Sequence, residues 1–298
     1  MNYYLGLDLG GSSVKAVAVT RAGEALQREN VAFDPARPMH YAETIRDLVA
    51  RFASLHGGPA GAIGLSAPGL AAPDGRSIAS LPGRLGGLAG LDWSQYLGTP
   101  FAIPVLNDAQ AALLGEVWQG AARGSNNAIL ITLGTGVGGA ALVDGRLLRG
   151  HTGKAGHLGH TCLDPNGPPD ICGAPGSLEL AIGNCTIAER GAGRFANTHE
   201  LIKAHAAGDA FATKVWLKSV KALAGAIISF TNILDPEVVI VGGGIARAGD
   251  ALFVPLREFV ARGEWRVFGH AARILPARMG EFAGAFGAAW NGLGRPAA

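Results

Sequence analysis

An α/β fold is predicted by three observations. Short apolar strands alternate with amphipathic helices along most of the chain. Two stretches, YYLGLDLGGSSVKAVAVT at 3–20 and AILITLGTGVGGAALVDGRLL at 128–148, share one grammar of strand, glycine turn, strand and turn. A third glycine turn, VGGG at 241–244, again follows an apolar strand. A repeated unit of this kind predicts two similar domains, although two unrelated hairpins would read alike on the pattern alone.

The elements follow in order. Tyr4–Asp8 reads as a strand, Gly10–Ser13 as a glycine turn, Val14–Thr20 as a strand and Arg21–Glu24 as a turn. Ile45, Leu48, Val49, Phe52 and Leu55 recur at helical spacing and predict a helix over 43–55. GAIGLSAPG at 61–69 reads as a strand entering a turn, and FAIPVLND at 101–108 as a buried strand ending in a polar pair. A helix follows from Asp108, with Gly120 near its stop. The second grammar gives strand Ala128–Leu133, turn Gly134–Gly138, strand Gly139–Val143 and a turn at Asp144–Gly145. A long helix over Phe211–Leu234 is closed by Asp235–Pro236. Residues 237–246 read as strand, glycine turn and helix start. The small-residue tail EFAGAFGAAWNGLG reads as a helix able to pack closely against backbone.

The bulk composition narrows the class of protein. With 298 residues, 48% of them hydrophobic, the chain can fill one large core or two ordinary ones. Its 46 glycines are about double the usual share and cluster beside apolar runs, as tight turns or close ligand approaches require. A net charge of +2, with no lysine-rich tail or basic helix, argues against a nucleic-acid partner. No continuous apolar run reads as membrane-spanning, and MNYYLGLDLGG lacks the pattern of a secretory signal, so no membrane partner is expected. Three cysteines, at 162, 172 and 185, do not make a disulfide scaffold and suit a reducing cytoplasm.

Two glycine turns offer runs of free N–H groups, which cradle phosphate. In the first, Asp8 at the strand end could hold Mg²⁺ through water, an ion that prefers oxygen ligands and keeps much of its hydration. In the second, the Thr135 hydroxyl stands beside the turn. Neither matches the GxxxxGK[ST] loop or a GxGxxG fingerprint, and either alone would also read as a mere tight turn. Asn107–Asp108 ends a buried strand, where α/β proteins place ligands. Asp108 reads either as a base that takes a proton from a sugar hydroxyl or as the cap of the next helix.

These motifs, in order, resemble the ROK family of sugar kinases and repressors: DLGGSSVK at 8–15, SAPG at 66–69, ND at 107–108, GEVW at 115–118, LGTGVGG at 133–139, AGHLGH at 155–160, CGAPGSLE at 172–179 and VGGG at 241–244. The resemblance implies an actin-like ATPase fold, with two ribonuclease-H-like domains and a cleft between them. It implies domains at 1–115 and 116–283, the second carrying a sugar-site loop at 150–179, with a C-terminal helix at about 284–298 packing back on the first. It implies ATP and Mg²⁺ as cofactors, a hexose or amino sugar as acceptor, and a homodimer. By position, Asp108 would be the catalytic base. Gly69, Asn107, Asp108, His157, His160 and Glu179 would bind the sugar. Asp8, Gly10, Gly11, Ser12 and Lys15 would form the first phosphate loop, Thr135 and Gly136 the second, and Gly243 and Gly244 would lie near the adenosine. Ser12 stands where the family has threonine, and the hydroxyl is kept. Repressors of the family carry a DNA-binding helix-turn-helix ahead of this body; here DLGG begins at residue 8, so an enzyme is expected.

Three departures from the family pattern matter. The family's zinc is held by a histidine and three cysteines; the matching positions here are His160, Asp170, Cys172 and Ser177. Two thiolates are gone, and a neutral serine is a poor zinc ligand. A zinc-free loop held by its prolines and by packing is expected, with His160 and Cys172 as remnants; a rearranged site would add Cys162. His157 replaces a glutamate that accepts hydrogen bonds from sugar hydroxyls, and imidazole can donate or accept. AGHLGHTCLDPNGP is most similar to bacterial N-acetylmannosamine kinases, which implies phosphorylation of that sugar at its 6-hydroxyl, or else of glucose, N-acetylglucosamine, fructose or allose. A sugar-binding protein without catalysis is the more distant reading. In the region LPGRLGGLAGLDW at 81–93 a family asparagine is missing, and Arg84 or the backbone at Gly86–Gly87 would substitute.

Overall fold

Residues 2–294 are described in a computed structural model. The chain divides into two units. The first takes the chain up to Gly124, Gly145–Ala155 and the stretch from Arg278. Among the described residues its main sheet has five strands: β1 (Tyr4–Leu9), β2 (Ser13–Val19), β3 (Ala25–Ala32), β4 (Ala62–Ala67) and β5 (Val105–Asn107), in the order β3-β2-β1-β4-β5. β1–β2 and β2–β3 are antiparallel, whereas β1–β4 and β4–β5 are parallel.

Leu5, Leu7 and Leu9 point one way from β1 and are buried with Ile45, Leu48 and Phe52 of helix α1 (His40–Leu55). Each such side chain contributes about 1.5–3 kcal/mol when fully buried. Helix α2 (Asp108–Gln119) continues directly from β5 and packs with the C-terminal helix Ala283–Gly292. That helix fits because its contact face is nearly without side chains: a Cβ on Gly287 would lie 1.7 Å from the Ala111 carbonyl oxygen. Residues 295–298, to which the sequence extends this helix, lie outside the described residues. The strand expected over 101–108 forms only at Val105–Asn107. Pro100 and Pro104 have no N–H to give a ladder, and the Ile103 N–H goes instead to Ser94 Oγ.

The second unit comprises Ser125–Asp144 and Gly156–Ala277. Its strands β6 (Ala128–Leu133), β7 (Val137–Val143), β8 (Val238–Gly242) and β9 (Arg273–Pro276) lie in the order β7-β6-β8-β9, antiparallel in the hairpin and parallel after it. This repeats β2-β1-β4-β5, so the repeated grammar does mark two like units. β7 begins two residues earlier than expected because Leu133 pairs with Val137, leaving only Gly134–Gly136 as the turn. The helices used below are α3 (Leu178–Ile182), α4 (Ala210–Leu234) and α5 (Asp250–Gly263). VGGG leads into a 3₁₀ turn, Ile245–Ala248, before α5, rather than straight into an α-helix.

No continuous apolar run spans a membrane, but one amphipathic helix, α4, has the length and average composition of a span. Its 25 residues are long and apolar enough to cross a membrane by length and composition alone. Its apolar stripe is used in the unit itself: Trp216, Val220, Leu223, Ile227 and Phe230 are buried, and Lys214, Lys218 and Lys221 are exposed on the other side. An amphipathic core helix has this pattern.

Candidate functional site

In the first unit the strand register brings three polar residues together. Asp8 pairs with Lys15 across the hairpin and with Ser66 on β4. Ser66 Oγ donates to Asp8 Oδ1 at 2.7 Å. Burial pushes the Asp8 carboxyl up to about 6, partly offset by the Ser66 hydrogen bond and Lys15, and Asp108 adds to the rise. A carboxylate that is costly to ionise without a nearby cation, with Asp108 adding to that cost, is a donor set compatible with Mg²⁺. The glycine turn is tight, with Gly10 N–H donating to the Ser13 carbonyl at 2.8 Å, and Ser12 is exposed. Gly11 lines a cavity of about 580 Å³ with Pro68, Arg84 and Gly86. The structure thus joins the first glycine turn to the Arg84 segment.

The half-buried Asp8 carboxyl sets a stability prediction. Its folded pKa lies above its unfolded value of 3.8, so its contribution to stability is present below about pH 4 and lost as pH rises through about 6. A rise from 3.8 to about 6 corresponds to roughly 3 kcal/mol. Asp8→Asn should therefore melt several degrees above the parent at pH 8, with the gain shrinking towards pH 4, while activity is lost. Equal melting temperatures at pH 8 would show that the carboxylate carries no burial cost.

Asn107 and Asp108 divide their work. Asn107 is the N-cap of α2: its Oδ1 accepts the Ala109 N–H at 2.9 Å, and Gln110 Oε1 accepts the Asn107 N–H at 3.4 Å. Its Nδ2 donates to the Gly69 carbonyl at 2.8 Å, fixing the SAPG turn beside it. Gly69 sits at φ +103, and a Cβ there would lie 2.6 Å from the Ser80 carbonyl oxygen. The reading of Asp108 as the cap is thereby corrected. Asp108 is the first helical residue, exposed, with Oδ1 accepting the Ala109 N–H at 2.8 Å. A carboxylate at a helix N-terminus is favoured as an anion.

In the second unit, Gly134–Gly136 forms the other turn, closed by Gly134 N–H to the Gly136 carbonyl at 2.9 Å, with Thr135 exposed. Glu179 on α3 packs against Gly136, and its Oε2 accepts the Val137 N–H at 2.9 Å. A residue read as a sugar contact therefore also anchors the phosphate-type turn. Gly243, at φ +88, packs on the Leu133 backbone at the root of that turn, and Gly244 starts the 3₁₀ turn. Thr135, Gly136, Gly243, Gly244 and Glu179 are thus brought together. His157 and His160 flank the 3₁₀ turn Leu158–His160, both half-buried, with His160 N–H donating to the His157 carbonyl at 3.2 Å.

Beyond His160 the chain folds on itself through backbone hydrogen bonds. Leu163 and Asp164 N–H donate to the Gly176 carbonyl, Gly176 N–H to Pro168 and Asp170 N–H to Ala174. His160, Asp170 and Cys172 offer atoms within 4.8 Å of one another, a group among the described residues that excludes Cys162. His160 Nδ1 lies 2.7 Å from Asp170 Oδ2, and Cys172 Sγ lies 3.4 Å from His160 Nε2. Burial pushes Asp170 up, but hydrogen bonds from His160 and from the Cys172 and Ala174 N–H groups outweigh it and bring its carboxyl down to about 2. The Cys172 thiol is held up by burial and by Asp170 and Glu179.

One functional-region residue was missed. Glu116, noted only inside GEVW, is fully buried. Its Oε1 accepts the Arg278 and Met279 N–H groups at 2.8 Å, and its Oε2 accepts the Ala121 N–H at 2.7 Å. The signal was present: a lone carboxylate among Leu113, Leu114, Val117 and Trp118 on a helix must find donors.

The ROK family model matches residues 4–292. A glucokinase of Halalkalibacterium halodurans is 32% identical over 97% of this chain and 94% of its own length. An N-acetylmannosamine kinase of Yersinia pseudotuberculosis is 32% identical over 82% of this chain and 83% of its own. Among solved structures, the ROK hexokinase from Thermus thermophilus superposes with a TM-score of 0.87, at 30% identity, over 98% of each chain. A ROK family glucokinase from Streptomyces griseus, in complex with glucose and AMPPNP, gives 0.74 at 26% identity, covering 99% of this chain and all of that one.

Proposed function

Since the chain belongs to the ROK family and is an ATP-dependent sugar kinase, we propose that it phosphorylates the 6-hydroxyl of a hexose, with glucose as the first acceptor to test. One observation carries the proposal: Asn107 takes the capping role, and the exposed Asp108 carboxylate stands at the end of a buried strand, where α/β proteins place ligands. In the step proposed, O6 of the sugar bonds to the γ-phosphorus, the bond from that phosphorus to the β,γ-bridging oxygen breaks, and the O6 proton passes to Asp108. In each unit the glycine turn has N–H groups that suit phosphate, those of Gly11–Ser12 in the first and of Thr135–Gly136 in the second, and the Lys15 ammonium adds positive charge to the first. Asp8 would hold Mg²⁺ through water, and that ion, when bound, neutralises phosphate charge. His160 and Glu179 are the sugar-contact candidates of the second unit. The Streptomyces griseus relative, solved with a sugar and an ATP analogue, supports this pairing of substrates. A cytoplasmic, homodimeric enzyme completes the proposal. The free thiols of Cys162, Cys172 and Cys185 support the location, and light scattering in solution tests the assembly.

His157 favours a second reading, N-acetylmannosamine as acceptor. Imidazole in place of a carboxylate changes which hydroxyls can be bound, and the Yersinia relative bears that activity in its name. ADP release measured over glucose, N-acetylmannosamine, N-acetylglucosamine, fructose and allose decides between them. Sugar binding without ADP release from any of these would defeat the kinase reading. If His157 sets the choice, His157→Glu should move kcat/KM from N-acetylmannosamine towards glucose by about 10–100-fold. An unchanged ratio would remove His157 from specificity.

A further inference from the structure

We infer that the 160–177 loop is closed by the Asp170 carboxylate in place of a metal ion, and that Asp170 is the positioning residue for His160. The donor set does not fit zinc. An imidazole offers one nitrogen to a given ion, yet the two candidate co-ligands flank opposite nitrogens: Asp170 Oδ2 is 2.7 Å from Nδ1, and Cys172 Sγ is 3.4 Å from Nε2. Tetrahedral zinc, with nitrogen and oxygen ligands at about 2.0–2.1 Å, would hold those two atoms about 3.3 Å apart. The observed 2.7 Å is a direct charge-assisted hydrogen bond. The Asp170 side chain is fully buried, and its other oxygen already accepts the Cys172 N–H at 2.8 Å and the Ala174 N–H at 3.0 Å. The remaining position, Ser177, is a buried neutral hydroxyl.

One carboxylate therefore does mechanically what a cation would do: it ties the histidine to the far limb of the loop. It also sets the ring. Nδ1–H donates to Asp170, which makes Nε2 the acceptor; Cys172 Sγ faces it at 3.4 Å, and a sugar hydroxyl that donates to His160 takes the place of that thiol contact. That last clause rests on the sugar-kinase reading; the closure of the loop does not.

The test has separate arms. Protein purified without chelator, then exposed to ZnCl₂ and desalted, should carry well below one zinc per chain by elemental mass spectrometry, and EDTA should leave its melting temperature unchanged. Nitrogen-15 spectra of histidine-labelled protein should show His160 protonated at Nδ1 at pH 7.5. Asp170→Asn should raise the sugar KM about tenfold with kcat within about threefold, since it loosens a positioning bond and leaves Asp108 alone. One tightly held zinc per chain whose removal lowers the melting temperature would overturn the inference, as would an unprotonated Nδ1. These arms use the wild-type protein, so they decide the matter even if Asp170→Asn does not fold. Failure of every sugar to release ADP would instead count against the proposed function.

Discussion

Replacing Asp108 by asparagine should lower kcat about 10²–10⁴-fold, the usual contribution of a positioned general base. The sugar KM should stay within a few-fold and the melting temperature should barely move. The structural half of this expectation comes from the division of labour at the strand end. Asn107 caps α2 and holds the Gly69 carbonyl, whereas Asp108 is exposed and its bond to the Ala109 N–H can be kept by an asparagine oxygen. The neighbouring change, Asn107→Ala, is the contrast: it removes a cap, at about 1 kcal/mol, and frees the SAPG turn. Coupled ADP release and thermal melts on both variants separate chemistry from scaffold. Turnover near the parent's in Asp108→Asn would remove the carboxylate from the reaction.

What could be read from the sequence was what depends on local pattern. The strand–glycine–strand grammar located both hairpins because tight turns and alternating burial are written in neighbouring residues. The close-packing tail was legible because its small side chains admit only one kind of contact. Long-range partnerships were not legible. Nothing near Glu116 says that its oxygens meet N–H groups at 278 and 279, and nothing near His160 says which of its nitrogens faces Asp170. The role of Asp108 was ambiguous for a subtler reason: Asn and Asp are both good caps, and only backbone geometry decides which of two adjacent residues is the cap. The strand expected at 101–108 shortened because Pro104, like Pro100 before it, has no N–H donor, a fact visible in the sequence but outweighed there by apolar composition.

Glu116→Ala should be the most destabilising single change in the first unit's α2. Three backbone N–H groups lose their acceptor, at roughly 1–3 kcal/mol for each buried donor left unpaired. All three bonds are only partly buried, so a total on the order of 3 kcal/mol follows, a fall of roughly 10 °C in melting temperature. Glu116→Gln keeps one oxygen but turns an amide N–H₂ towards donors, so it should fall between parent and alanine. The effect should reach the chemistry, because Arg278–Met279 leads into the C-terminal helix. There Gly284 lies against the Asp8 carboxylate, with no room for a Cβ between them. A chain loosened at 278 cannot hold that wall, so residual activity in Glu116→Ala should fall further than its folded fraction alone would give. Melting temperatures within about 2 °C of the parent would mean that those N–H groups find water, and that the carboxylate is not the tie it is taken to be here.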